Sequence, residues 1–151
     1  MKIIACIKQV PDSEAKVKAE NGNITWGEAP LVINPFDEYA VEGALLTKEA
    51  NDGSTVTALC IGPESAKDAL KHALAMGADR GIHVKSDEEL QPLAVAKLLK
   101  ALVNKETPDL VILGKQAIDD DSNQTGQMLA ALLDWPQGTF ASGIELSDGK
   151  A

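Results

Sequence analysis

Three short apolar runs, each too brief for a helix, constrain what this chain can fold into. They are Lys2 to Lys8 (KIIACIK), Thr55 to Ile61 (TVTALCI) and Asp109 to Leu113 (DLVIL). Each leads through a turn into a stretch with helical spacing. Strands alternating with helices of about 12 residues imply right-handed βαβ units and a mainly parallel sheet. The expected fold is therefore α/β: an open, mainly parallel sheet flanked by helices on both faces. With 151 residues, a single domain covering residues 1–151 is the natural organisation, and no linker, repeat or low-complexity segment divides it. Aromatics are 3% of the chain, so Ala, Leu, Val and Ile must build the core.

The first run suits a central strand, and Val10-Pro11-Asp12 turns the chain out of it. Ser13 to Glu20 show no clear period. Asn21-Gly22 is a hairpin dipeptide, beyond which Ile24 to Trp26 and Leu31 to Ile33 are expected to pair. Asn34-Pro35-Phe36-Asp37 opens a helix, with Asn34 as cap and Pro35 in the first turn. Its expected core face is Tyr39, Ala40, Ala44, Leu45 and Leu46, and Asn51-Asp52-Gly53 ends it. A second helix follows Gly62-Pro63, packing Ala66, Leu70, Ala73, Leu74 and Met76, and Gly77 stops it. Gly81 to Val84 is a short strand, and Pro92 to Val103 a third helix that packs Leu93, Ala96, Leu99, Leu102 and Val103. After the Asp109 strand, expected to be buried, Gly114 breaks the pattern and a helix opens near Asn123, running to Leu133. Thr139 to Ala141 and Ile144 to Leu146 are expected as one more strand pair, before the polar run Ser147-Asp148-Gly149-Lys150.

In an open parallel sheet, ligands bind beyond the carboxyl ends of the strands. Four segments reach that edge: Cys6 to Gln9, the helix start at Asn34, Ile61-Gly62-Pro63, and the loop Gly114 to Thr125. If their strands are neighbours, all four meet in one crevice. A strand–loop–helix unit can hold a phosphate, because the free N–H groups and the dipole at a helix start favour an anion. Ser122, Asn123, Gln124 and Thr125 supply hydroxyls, amides and N–H donors there. Plain capping of the helix by Ser122 or Asp121 is the competing reading. Asp119-Asp120-Asp121 would repel a phosphate unless they point away, pair with Lys115 or hold a cation such as magnesium.

Several chemistries lack their residues. The loop carries neither the dinucleotide fingerprint nor the Walker phosphate loop, since Gly114-Lys115 lacks the earlier Gly and the following Ser or Thr. His72 and His83 have no nucleophile placed beside them. Trp26 and Trp135 sit in turns, where packing is the expected role. Cys6 and Cys60 belong to strand patterns with no metal or dithiol spacing, which suits free thiols in a reducing compartment. A net charge of −9 argues against nucleic acid and against an anionic membrane surface. Met1 to Val10 is too short an apolar run for a signal or membrane segment, so the bacterial cytoplasm or a mitochondrial matrix is the expected place. From the residues alone, the chain reads as a nucleotide-holding α/β domain without visible catalytic machinery.

Four collinear motifs carry a family resemblance: CIKQVPD at Cys6, INPFDEYAVEGAL at Ile33, ALAMGADRGIHV at Ala73, and GKQAIDDDSNQTGQMLAALLDWPQGTFAS at Gly114. Together they resemble the β subunit of electron transfer flavoprotein over nearly the whole chain. The resemblance implies a Rossmann-like fold of the adenine nucleotide alpha hydrolase type. It implies a heterodimer with an α subunit that holds most of an FAD, and a role as electron carrier rather than classical enzyme. Electrons would come from acyl-CoA dehydrogenases or other flavoprotein dehydrogenases and pass to a quinone oxidoreductase or another acceptor, as in fatty acid β-oxidation. The β subunit would bury a structural AMP, or a second FAD in bifurcating relatives. Carried onto this chain, the cofactor residues are Cys6, Asn34, Pro35, Phe36, Asp37, Ile61, Gly114, Lys115, Gln116, Ala117, Ile118, Asp119, Asp120, Asp121, Ser122, Asn123, Gln124 and Thr125. Phe36 is either a core aromatic or a neighbour of the flavin ring. An aromatic that some members place near that ring, in the loop after the first strand, is replaced here by the Ser13 region. Family members continue well past the position of Ala151, so this sequence is expected to be a fragment. A stand-alone sensor of the universal-stress-protein type lacks its Gly-rich phosphate loop here, and an ATP pyrophosphatase would need an SGGxDS-type loop where this chain has IKQVPDS.

Overall fold

A computed structural model describes residues 1–147; Asp148 to Ala151, the end of the expected polar run, lie outside the described residues. The three apolar runs are β1 (Lys2–Ile7), β6 (Thr55–Gly62) and β8 (Leu110–Leu113). With β7 (Arg80–Lys85) they form one all-parallel sheet in the order β7-β6-β1-β8. β1 is central, and its register sets Ile7 beside Cys60 and Cys6 beside Leu113. The chain first builds outward on one side of β1 and then crosses to the other. The β1/β8 junction is therefore the point where strand order reverses, the position at which open α/β sheets bind ligands.

Helices cover both faces, as the alternation requires. α1 (Pro35–Glu49) and α2 (Lys67–Met76), the latter entered by a 3-10 turn at Glu64–Ala66, pack with Ile3, Ala5, Ile7, Val56, Ala58 and Cys60. α3 (Pro92–Glu106) and α4 (Thr125–Leu133) pack on the opposite face, with Ile4, Cys6 and Leu59. Cys6 and Cys60 thus lie on opposite faces, and both are free and buried. Helix–sheet contacts made largely by alanine allow the close layers that a chain poor in aromatics needs.

Several expectations are corrected. The α1 stripe is Ala40, Val41, Ala44 and Thr47, while Tyr39 and Leu46 face outward, because only one narrow face of a helix can meet a sheet. Leu74 and Leu93 are likewise exposed. β8 is half-buried rather than buried, being the edge strand among the described residues. Gln9–Pro11 is a strand, β2, and not a turn. It pairs antiparallel with β5 (Leu31–Ile33), taking the partner expected for Ile24 to Trp26. β4 (Asn23–Thr25) folds back on β3 (Lys18–Glu20), within the stretch that showed no period. Asn21 and Gly22 both have positive φ, 51° and 78°, as a tight two-residue hairpin turn requires. Thr139 to Ala141 and Ile144 to Leu146 form no strand pair. They run as irregular, mostly exposed chain, with Phe140 at φ 55°, outside strand conformation.

Candidate functional site at the strand-order reversal

The site is built on the backbone that leaves β1. The Lys8 amide donates to Asp37 Oδ2 at 2.7 Å, and the Lys8 carbonyl accepts from the Asn34 amide at 2.8 Å. The start of α1 is thereby tied to the end of β1. The other carboxylate oxygen, Asp37 Oδ1, accepts from the Gly114 amide at 3.1 Å, tying in β8. One carboxylate at the first turn of α1 joins three elements.

Asn34 does not cap α1 with its side chain. Its carbonyl accepts from the Asp37 and Glu38 amides, and Pro35 occupies the first turn, so α1 starts without a side-chain cap. The side chain, 1% exposed, turns to the loop instead. Nδ2 donates to the Gln116 carbonyl at 2.8 Å, and Oδ1 accepts from the Ile118 amide at 3.2 Å. Both ends of the amide are used, and the loop is held across 82 and 84 residues of sequence.

Within the loop, the Asp121 amide donates to the Ala117 carbonyl and the Ser122 amide to Asp120 Oδ1. Asp121 itself accepts from the Gln116 amide group. Asp119 and Asp120 do not pair with Lys115. Lys8 reaches both, at 2.8 and 3.3 Å, because it leaves the sheet at the strand beside the loop. Lys115 lies over the rings of Phe36 and Phe140, at 5.8 and 5.0 Å from their centroids. Among the described residues, no group of three or more His, Cys, Asp or Glu is arranged to hold a metal ion.

α4 opens at Thr125, two residues later than Asn123, and no side chain caps it. Capping by Ser122 or Asp121 is thus ruled out; the Asp121 carboxylate is engaged by Gln116 and the Ser122 side chain by Asp120, both within the loop. Asp121 and Asn123 have positive φ, 55° and 48°, and hold the chain out of the helix. Asn123 and Gln124 (φ −124°, ψ −28°) are of opposite hand. Consecutive residues of that kind aim their N–H groups into one concavity, which suits an anion. It adjoins the uncapped N–H groups of the first turn of α4.

Of the sequence-predicted residues, Asn34, Phe36, Asp37 and Gly114 to Asp121 come together at the β1/β8 junction, with Pro35 beside them in the first turn of α1, and Ser122 to Thr125 lead from there into α4. Cys6 is buried beneath, and Ile61 lies at the end of β6, across β1 from the loop. Lys8 was missed as an individual residue, although its place directly after a central strand was the available signal. A concavity of about 410 Å³ lies in the insert around Asp12, Trp26 and Pro30 rather than at the junction. A smaller one of about 160 Å³ reaches from Trp26 and Val17 to Ile118 and Asp119. The junction carries more weight, because buried polar groups converge there and the larger concavity is lined by exposed ones.

Burial sets the electrostatics. It raises Asp37 to about 7 despite the amides of Lys8 and Gly114, which favour its charge. Burial also raises both thiols, Cys60 to about 12 and Cys6 beyond the usual thiol range, so neither is a ready nucleophile. At Asp120 burial pushes upward, but the Ser122 amide and the Lys8 ammonium hold the carboxyl below its ordinary value.

Asp37 makes stability depend on pH. Its folded pKa lies above the ordinary aspartate value of 3.8, so the folded chain holds the proton more tightly. That contribution is complete below about pH 4 and is lost as pH rises through 7, amounting to about 4 kcal/mol at most. Asp37→Asn is expected to flatten this part of the stability profile, as read by denaturant melts between pH 4 and 8. An unchanged slope would assign it to other groups.

Comparisons with known proteins bear on the same residues. Residues 27–151 match the family model described as the electron transfer flavoprotein domain. Electron transfer flavoprotein subunit beta of Dictyostelium discoideum is 52% identical over 150 residues, covering 98% of this chain and 60% of that protein. The Bradyrhizobium diazoefficiens protein of the same name is 51% identical, covering 97% and 59%. The Homo sapiens one is 47% identical, covering 99% and 61%. The chain spans about 60% of the length of these curated relatives.

Proposed function

Since this chain belongs to the electron transfer flavoprotein family, we propose that it is the nucleotide-holding domain of a β subunit in an electron-carrying flavoprotein. The observation that carries this is the meeting of the α1 start, the end of β1 and the Gly114–Thr125 loop where strand order reverses. The ligand is AMP. Its phosphate would meet the N–H groups of Asn123, Gln124 and Thr125, while Asn34, Asp37 and Gly114 hold the loop in shape. The donor set fits a phosphate, and the reading is of a nucleotide that is held and not turned over.

The redox chemistry is that of an FAD carried mainly by an α subunit. This chain's part is to present a rigid, nucleotide-braced face to that partner. Phe36 and Lys115 are the residues of the site nearest to a role at the flavin. Acyl-CoA dehydrogenases or other flavoprotein dehydrogenases are the electron donors, and a quinone oxidoreductase or comparable acceptor receives the electrons. The setting is a mitochondrial matrix or a bacterial cytoplasm. Relatives named as mitochondrial and a bacterial one are consistent with this, and no described helix is long and apolar enough to cross a membrane.

Denaturing the purified protein and separating the released nucleotide by chromatography tests the reading. AMP near one per chain is the expected result. FAD in its place would point to a bifurcating type. ATP together with ATP hydrolysis would sink the electron-carrier reading.

A further inference from the structure

Lys8 stands apart from the residues assigned to the nucleotide. Its backbone is fixed on both sides, by Asp37 through the amide and by Asn34 through the carbonyl. Its side chain therefore projects from a rigid base at the end of the central strand. It makes ion pairs with Asp119 and Asp120, whose side chains are 21% and 44% exposed. The other loop groups are engaged elsewhere: Lys115 on two aromatic rings, and Asp121 with Gln116.

A loop carrying three adjacent carboxylates is a poor place for a phosphate. Two of the three share here one cation that comes from the end of the central strand and not from the loop, which offsets half of their charge. We propose that Lys8 is a positioning residue for the nucleotide loop, offsetting half the charge of Asp119 and Asp120 and drawing the loop against β1 before the nucleotide arrives. This rests on the nucleotide reading above. Lys8 acts through the carboxylates, without touching the phosphate. Without it, the loop would swing outward on its Asn34 bonds, and two uncompensated carboxylates would repel the incoming anion.

A cycle of variants tests this with AMP titrated by calorimetry into the full chain stripped of its bound nucleotide. Lys8→Gln is expected to weaken AMP binding by about tenfold, the scale of one charge pair at a half-exposed site. Lys8→Arg keeps the charge and should stay within about threefold of the unsubstituted protein. In the Asp119→Asn/Asp120→Asn background, Lys8→Gln should cost less than about threefold, because nothing remains to cancel. An equal loss in both backgrounds would mean that Lys8 meets the phosphate directly, and would overturn the proposal. So would unchanged affinity in Lys8→Gln. A second readout needs no nucleotide: hydrogen exchange at the Ala117 to Asn123 amides should speed up in Lys8→Gln and not in Lys8→Arg. Slow exchange in both would overturn the tether. AMP failing to bind the unsubstituted chain while the exchange difference persists would sink the nucleotide reading and leave the tether standing.

Discussion

Gly114→Ala is expected to destabilise the protein by about 3 kcal/mol or more, beyond the usual toll of an overpacked core, because the obstruction is backbone. A Cβ at this position would come within 2.6 Å of the Phe36 carbonyl carbon and 2.8 Å of the Asp37 amide nitrogen, and closer still to Asp37 Oδ1. The first two are backbone, and Asp37 Oδ1, though a side-chain atom, belongs to a carboxylate held by the Lys8 and Gly114 amides. The first turn of α1 would have to move off β8, breaking the Gly114–Asp37 bond and disturbing the Lys8–Asp37 bond on the same carboxylate. The positive-φ argument for glycine does not apply here; what matters is close approach. Chemical denaturation should show the loss, with AMP retention falling alongside. Wild-type stability in Gly114→Ala would mean that α1 and β8 are not packed this closely.

Asn34→Ala is expected to cost about 2–4 kcal/mol, since it leaves the Gln116 carbonyl and the Ile118 amide without their shared partner. Asn34→Asp keeps the volume and the acceptor for Ile118, but places an oxygen against the Gln116 carbonyl. It should therefore recover little of the loss. Loss of AMP binding should exceed what global stability predicts, because the released segment is the one proposed to hold the phosphate. Asn34→Ala with full stability and affinity would show that the loop holds its own shape.

These two residues mark how far the sequence was legible. The βαβ alternation was readable because apolar runs, glycine and proline breaks and helical spacing are local properties. The helix start at Asn34-Pro35 was readable for the same reason. The use of the Asn34 side chain was not, because its partners are more than eighty residues away and compete with the capping role that its position suggests. Gly114 was visible as a break, but the reason for it depends on where α1 lands. The insert was misread because its strands are three residues long and mostly exposed, so no buried face announces their pairing. The Thr139–Leu146 stretch misled in the opposite way, showing strand-like composition in a mostly exposed, irregular run. Several roles are open to the aspartates from sequence, pairing with the nearby Lys115 among them; Asp119 and Asp120 instead meet Lys8, distant in sequence and adjacent in the fold.

Calorimetric titration of the chain, stripped of its bound nucleotide and refolded, with AMP and, in parallel, with adenosine tests the central claim most directly. The account predicts saturable binding of AMP at one per chain, with adenosine weaker by at least about tenfold, because the phosphate gains the concavity at Asn123-Gln124 and the start of α4. Equal affinity for the two ligands, or no saturable binding of AMP, would contradict the placement of a phosphate in the Gly114–Thr125 loop.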